Sequence, residues 1–151
     1  MAAGIHVHVS RTIERPLEVV RQHFLDMEHH QRHPVHASAR FEVIEQSPSH
    51  CEYAQKTAVG PFTLSERSRL DLVDGKVVNR CVEGANEGMV NTFSFRELGP
   101  SKTEVAVDVR LPKTGARWLF APILRGMLAR GFAQALEEDR VDLEERGYPR
   151  P

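Results

Sequence analysis

Residues 122–147 read PILRGMLARGFAQALEEDRVDLEERG. Leu124, Met127, Leu128, Phe132, Ala135 and Leu136 recur at three- and four-residue spacing. Arg125, Arg130, Glu137, Glu138 and Arg140 fall on the opposite side. This spacing predicts one amphipathic helix. Pro122 suits its first turn, and Gly147 suits its stop, with Pro149 and Pro151 beyond. Such a helix spans about 24 residues and about 36 Å, enough to cross the whole face of a small sheet.

Upstream of it the period is mostly two. Ile5, Val7, Val9, Arg11 and Ile13 share a face, opposite His6, His8, Ser10 and Thr12. Arg15-Pro16 ends that strand and opens a helix carrying Leu17, Val20, His23 and Phe24. A second short helix starts near Asp26, a good N-cap, and stops by Arg32, because Pro34 biases His33 away from helical angles. Alternation resumes with Ala39, Phe41 and Val43. It continues with Cys51, Tyr53, Gln55, Thr57 and Val59, then with Phe62, Leu64, Glu66, Ser68, Leu70 and Leu72. Asp74-Gly75 is a tight hairpin signal. In the strand 76–83 either Val77, Asn79, Cys81 and Glu83 or Val78, Arg80 and Val82 could face inward. Met89, Asn91, Phe93 and Phe95 follow, and Val105, Val107, Val109 and Leu111 complete the series.

The chain has 151 residues, the size of one domain, read as 1–147 with a short tail at 148–151. Twenty basic and 21 acidic residues nearly cancel, which argues against a general nucleic-acid binder. No apolar run approaches the ~20 residues of a membrane span. Met1-Ala2-Ala3-Gly4-Ile5-His6 lacks the basic and apolar regions of a signal peptide, and two cysteines are too few for a disulfide scaffold. A cytoplasmic location is expected, and a homodimer is left open.

The order of elements predicts an α+β fold: a strongly curved antiparallel sheet of about seven strands wrapped around the long C-terminal helix, with two short helices after strand 1. An antiparallel sheet with one apolar face must cover it, and only the last helix is long and apolar enough. Incomplete coverage would leave a hollow where a ligand binds.

Ile5 to Ile13, the run Arg15-Pro16-Leu17-Glu18-Val19-Val20, then Leu25-Asp26 and His33-Pro34, resemble the opening of the helix-grip, START-like superfamily. That superfamily includes polyketide cyclase/dehydrase-like and coenzyme-Q-binding proteins. The resemblance implies a cavity for a hydrophobic, aromatic or polyketide-like molecule, used by a carrier or by a cyclase/dehydratase. It transfers no catalytic set. Family members commonly carry tryptophans in the short-helix region, where this chain has histidines.

Three groups are candidates for chemistry. In Glu28-His29-His30-Gln31-Arg32-His33-Pro34-Val35-His36, His29 and His33 are four apart, but Pro34 takes His33 off the helical face, and no HExxH pattern is present. The bland reading is a solvated, His-rich connection near the cavity mouth; the functional reading has His36 contact ligand and His33 serve as acid or base. The alternative is a metal-dependent enzyme built on His29, His30, His33 and His36; the leading reading assigns no metal and no cofactor.

The second group is Tyr53, Gln55, Thr57, Glu66, Ser68 and Asn91, polar residues that interrupt apolar stripes. Glu66 and Tyr53 are candidate catalytic groups; Gln55, Ser68 and Asn91 are candidate ligand contacts. A register slip of one residue would turn Glu66 outward. The third group is apolar: Phe41, Phe62, Phe93, Phe95, Trp118, Phe120 and Met127 as ligand-lining residues, with Gly126 and Gly131 leaving room. Cys51 and Cys81 read as core residues.

Overall fold

The computed structural model describes residues 4–112 and 114–151, so Met1–Ala3, part of the segment read for a signal peptide, lie outside the described residues. Among the described residues every period-two stretch is a strand: β1 (Ile5–Ile13), β2 (Ala39–Gln46), β3 (His50–Val59), β4 (Phe62–Val73), β5 (Lys76–Gly84), β6 (Val90–Gly99) and β7 (Lys102–Leu111). They form one antiparallel sheet in the order β1-β7-β6-β5-β4-β3-β2. The helices are α1 (Leu17–Leu25), α2 (Met27–Arg32) and α3 (Ala121–Glu144), with a 3-10 turn at Gly115–Trp118. None is long and apolar enough to cross a membrane.

The register fixes the inner face. Val7 pairs Val109, Val109 pairs Asn91, Asn91 pairs Asn79 and Asn79 pairs Leu70. Ser68 pairs both Cys81 and Tyr53, and Glu66 pairs Gln55 opposite Phe41. Glu66 therefore faces inward, and so do Val77, Asn79 and Cys81. A bulge leaves Val82 unpaired, so Glu83 pairs the outward Arg67. Asp74 and Gly75 both take positive φ, 51° and 77°, which fits the tight β4–β5 hairpin.

Asp26 caps α2 by accepting from His29 N–H at 3.1 Å. His33 ends that helix in extended geometry before Pro34. In α3, Leu124, Leu128, Ala129, Phe132, Leu136 and Leu143 turn toward the core. The helix lies closest along β1. It stops at Glu144, three residues before Gly147. There the amides of both Glu145 and Arg146 bond Val141 O, which breaks the regular helical pattern. Gly147, at φ 73°, then reverses the chain. Residues 148–151 fold back: Tyr148 is buried and its OH donates to Asp26 Oδ2 at 2.9 Å.

Candidate functional site

Two polar regions lie on the side of the sheet that the helices cover. The first runs across the middle strands. Asn79 Nδ2 donates to Tyr53 Oη at 2.7 Å, so the phenol's own proton points elsewhere, with Ser68 also within its reach. Burial raises the Tyr53 pKa, which keeps that proton in place. The Oδ1 atoms of Asn79 and Asn91 are buried and unpartnered. Glu66 accepts from Asn86 Nδ2 and from Cys81 Sγ, each at 3.2 Å. Burial, with Glu66 beside it, lifts the Cys81 thiol to about 11, and burial lifts Cys51 to about 12, so neither is an activated nucleophile.

Apolar rings surround this strip. Phe93 and Phe95 are half-buried, with Phe24 of α1 packed on them at ring-centre distances of 5.1 and 5.7 Å. Phe41 packs on Tyr53 at 5.8 Å. Ser68 is buried and Gln55 bonds Thr57 Oγ1 at 2.9 Å. Phe62, at the β3–β4 tip, is 69 % exposed; Trp118, Phe120 and Met127 are 62, 54 and 47 % exposed. These four sit around the open end of the sheet, where α3 begins. Arg117 ties that end down, donating to Ala85 O at 3.1 Å. Two clefts, of about 290 and 330 Å³, open beside α2 and are lined mainly by polar groups such as Gln22, Asp26, Glu28 and Gln31.

The second region is the histidine segment, which is a buried cluster and not a solvated connection: His29 and His30 are buried, and so is His23 of α1. Their partners are Asp139 and Asp142 on α3. His23 Nε2 and His29 Nε2 both donate to Asp142 Oδ2, at 2.9 and 2.6 Å. Arg150 NH2 reaches Asp142 Oδ1 at 2.7 Å. Burial lowers the His23 pKa to about 4 and also lowers that of His29. Burial disfavours charge on Asp142 as well, but hydrogen bonds from His23, His29 and Arg150 outweigh it and keep the carboxylate ionised. Around Asp139 Oδ1 stand His36 Nε2 at 3.2 Å, His30 Nε2 at 3.6 Å and His23 Nδ1 at 3.8 Å. His36 Nδ1 also meets Glu138 Oε1 at 3.1 Å. Burial opposes a charge on His36, but Asp139 and Glu138 prevail and raise its pKa to about 10.

His33 is set apart from the candidate catalytic residues Glu66 and Tyr53: its Nε2 meets the carbonyl O of Pro151 at 2.8 Å. The sequence reading placed Glu137 and Glu138 on the polar side of α3 and gave Asp139 and Asp142 no role. The structure divides them, with Asp139 and Asp142 fully inside the apolar stripe between Leu136 and Leu143. Their spacing of three, in step with those leucines, was the available signal.

Comparison of the coordinates with solved structures decides the fold. A protein of Thermus thermophilus superposes with a TM-score of 0.81, at 14% identity, over 94% of this chain and 99% of that one. The Zhui aromatase/cyclase of Streptomyces sp. R1128 gives 0.70 at 17% identity, over 94% and 97%. A START superfamily protein of Mycobacterium smegmatis gives 0.70 at 16%, over 91% and 98%.

The chain has the START-like helix-grip fold.

At these identities the likeness is one of fold. No family model matches the chain, and no curated protein matches it by sequence. Within the helix-grip fold, α3 is the gripped helix, and the Tyr53–Asn79–Asn91 strip lies on the gripping face.

Proposed function

We propose that the protein binds a hydrophobic, hydroxylated aromatic or polyketide-like small molecule between the inner face of the sheet and the N-terminal half of α3. One observation carries this reading. The Oδ1 atoms of Asn79 and Asn91, paired across β5 and β6, lie unpartnered and buried, and Asn79 also holds the Tyr53 hydroxyl. An unpaired buried polar group costs about 1–3 kcal/mol, so such groups call for a partner. Two acceptors and one donor on an aromatic floor suit a ring system bearing hydroxyl and carbonyl groups. The floor of Phe24, Phe41, Phe93 and Phe95 supplies affinity, at roughly 25 cal/mol per Å² of apolar area before association costs. Phe62, Trp118, Phe120 and Met127 flank the way in. The structural likeness to an aromatase/cyclase supports the same class of ligand.

Glu66 and Tyr53 are the groups that would move a proton on such a molecule. With them the site serves as a cyclase or dehydratase; without turnover it is a carrier. His36 borders the site through Phe41, at a ring-centre distance of 6.0 Å.

A solvatochromic apolar dye tests the binding. It should be taken up by the folded protein with a blue-shifted emission, and Phe93→Trp should weaken uptake while leaving far-ultraviolet dichroism unchanged. A folded protein that takes up no dye, and carries no extractable guest, contradicts the reading.

A further inference from the structure

His23, His30 and Asp139, at the junction of α1, α2 and α3, play no part in the proposed function, and their ligand atoms lie close enough together to share an ion. We propose that His23 Nδ1, His30 Nε2 and Asp139 Oδ1 bind a first-row divalent transition ion, zinc-like in its preference for nitrogen and oxygen ligands.

Distances argue first. Ligands about 2.0–2.2 Å from a tetrahedral ion lie roughly 3.3–3.5 Å from one another. The His30 and His23 nitrogens stand 3.6 and 3.8 Å from Asp139 Oδ1, and the three ligand atoms all lie within 4.8 Å of one another.

The outer hydrogen bonds argue second. A carboxylate or a carbonyl can only accept from a neutral imidazole, so each one fixes which nitrogen carries the proton. His23 Nε2 donates to Asp142 Oδ2, which leaves Nδ1 bare. His30 Nδ1 donates to Asp26 O at 2.8 Å, which leaves Nε2 bare. Metal-bound histidines are typically held in this way, by an outer acceptor on the second nitrogen. His23 Nδ1 and Asp139 Oδ1 are both buried without a hydrogen-bond partner. Lone pairs converging on one point in a dry interior repel each other, and a cation between them removes the repulsion.

The neighbouring trio His23, His29 and Asp142 is also within coordinating reach, but the Arg150 guanidinium already occupies Asp142. Its cation opposes a second one there, and both imidazoles already donate to the carboxylate. That trio is the outer support of the site. Its three protein ligands come from α1, α2 and α3, so a bound ion serves as a brace between the short helices and the last one.

Cobalt(II) is the probe. Tag-free protein, stripped with chelator and dialysed, should bind one equivalent and develop visible d–d absorption. Zinc should displace the cobalt, and the melting temperature should rise with either ion. His30→Gln and Asp139→Asn should each lower cobalt affinity by more than the roughly 10–100-fold typical of outer-sphere changes. His33→Gln, and His6→Gln with His8→Gln at the exposed Asp108, should leave affinity unchanged. If the cluster variants fail to fold, imidazole ¹⁵N shifts of the wild-type protein answer the question. Zinc should move His23 Nδ1 and His30 Nε2. No binding, or binding removed only by the surface variants, or shifts confined to His6 and His8, overturns the proposal. Dye uptake by the metal-free protein reports on the groove separately, so the two proposals fail independently.

Discussion

His23 Nδ1 and Asp139 Oδ1 face each other at 3.8 Å in the protein interior, and neither holds a hydrogen bond. On the other edge of the same ring, Nε2 sits 2.9 Å from Asp142. One histidine of α1 thus spans two carboxylates of the last helix, one satisfied and one not. This is where the start and the end of the chain are tied together.

Asp142→Asn tests the satisfied half. It leaves Arg150 facing a neutral amide and takes the ionic acceptor from His23 and His29. Breaking a buried charge pair from one side costs about 3–5 kcal/mol. Urea unfolding should show a loss of that size, whereas Arg96→Gln, at an exposed pair with Glu104, should stay within about 0.5 kcal/mol.

Tyr148→Phe removes one hydroxyl, the donor to Asp26 Oδ2, while Asp26 Oδ1 also caps α2. A hydrogen bond to a charged group contributes about 1.5–3 kcal/mol. Thermal melts should show a clear drop in Tm, and amide exchange should speed up first in residues 27–32.

Gly84 stands at φ 114°, and a Cβ there would lie 2.3 Å from Ser65 O and 2.8 Å from Glu66 Cα. Neither is a flexible side chain, so the β4–β5 backbone must move. Gly84→Ala should destabilise the fold by more than the ~1–2 kcal/mol that a left-handed residue costs by itself. Gly60→Ala, with open space around it, should cost only that smaller amount. Because Gly84 pairs Glu66, the first variant should also weaken dye uptake.

Tyr53→Phe removes the phenol donor and strands Asn79 Nδ2. For a hydroxylated aromatic ligand, affinity should fall about tenfold, equivalent to about 1.4 kcal/mol. An apolar dye that makes no hydrogen bond should bind nearly as before. Equal loss for both probes would show that Tyr53 shapes the floor and does not recognise a polar group.

Much of the fold was legible because it rests on period. Alternation from Ile5 to Leu111 marked the strands, and Asp26 and Pro34 bounded α2. The inward placement of Glu66 followed from the stripe it shares with Ser68 and Leu70. Strand 76–83 was ambiguous because both of its faces mix apolar and polar residues; only its pairing with Leu70 and Asn91 settles it. The histidine cluster was misjudged for a different reason. Its four sequence neighbours were visible, and so was His23 on the helix before them, but Asp139 and Asp142 come from the distant α3, where a stretch that begins with Glu137 and Glu138 reads as solvated. Burial of an aspartate is decided by what packs on it, and here that is the other end of the chain.

The most direct test of ligand binding in the grip is a ¹H–¹⁵N titration with a dihydroxynaphthalene, following the side-chain amide signals. The account predicts saturable shifts in the NH₂ groups of Asn79 and Asn91 and in the backbone amides of β5 and β6. Shifts confined to Gln22, Gln31 and Gln46 beside the surface clefts, or no shifts at all, would contradict it.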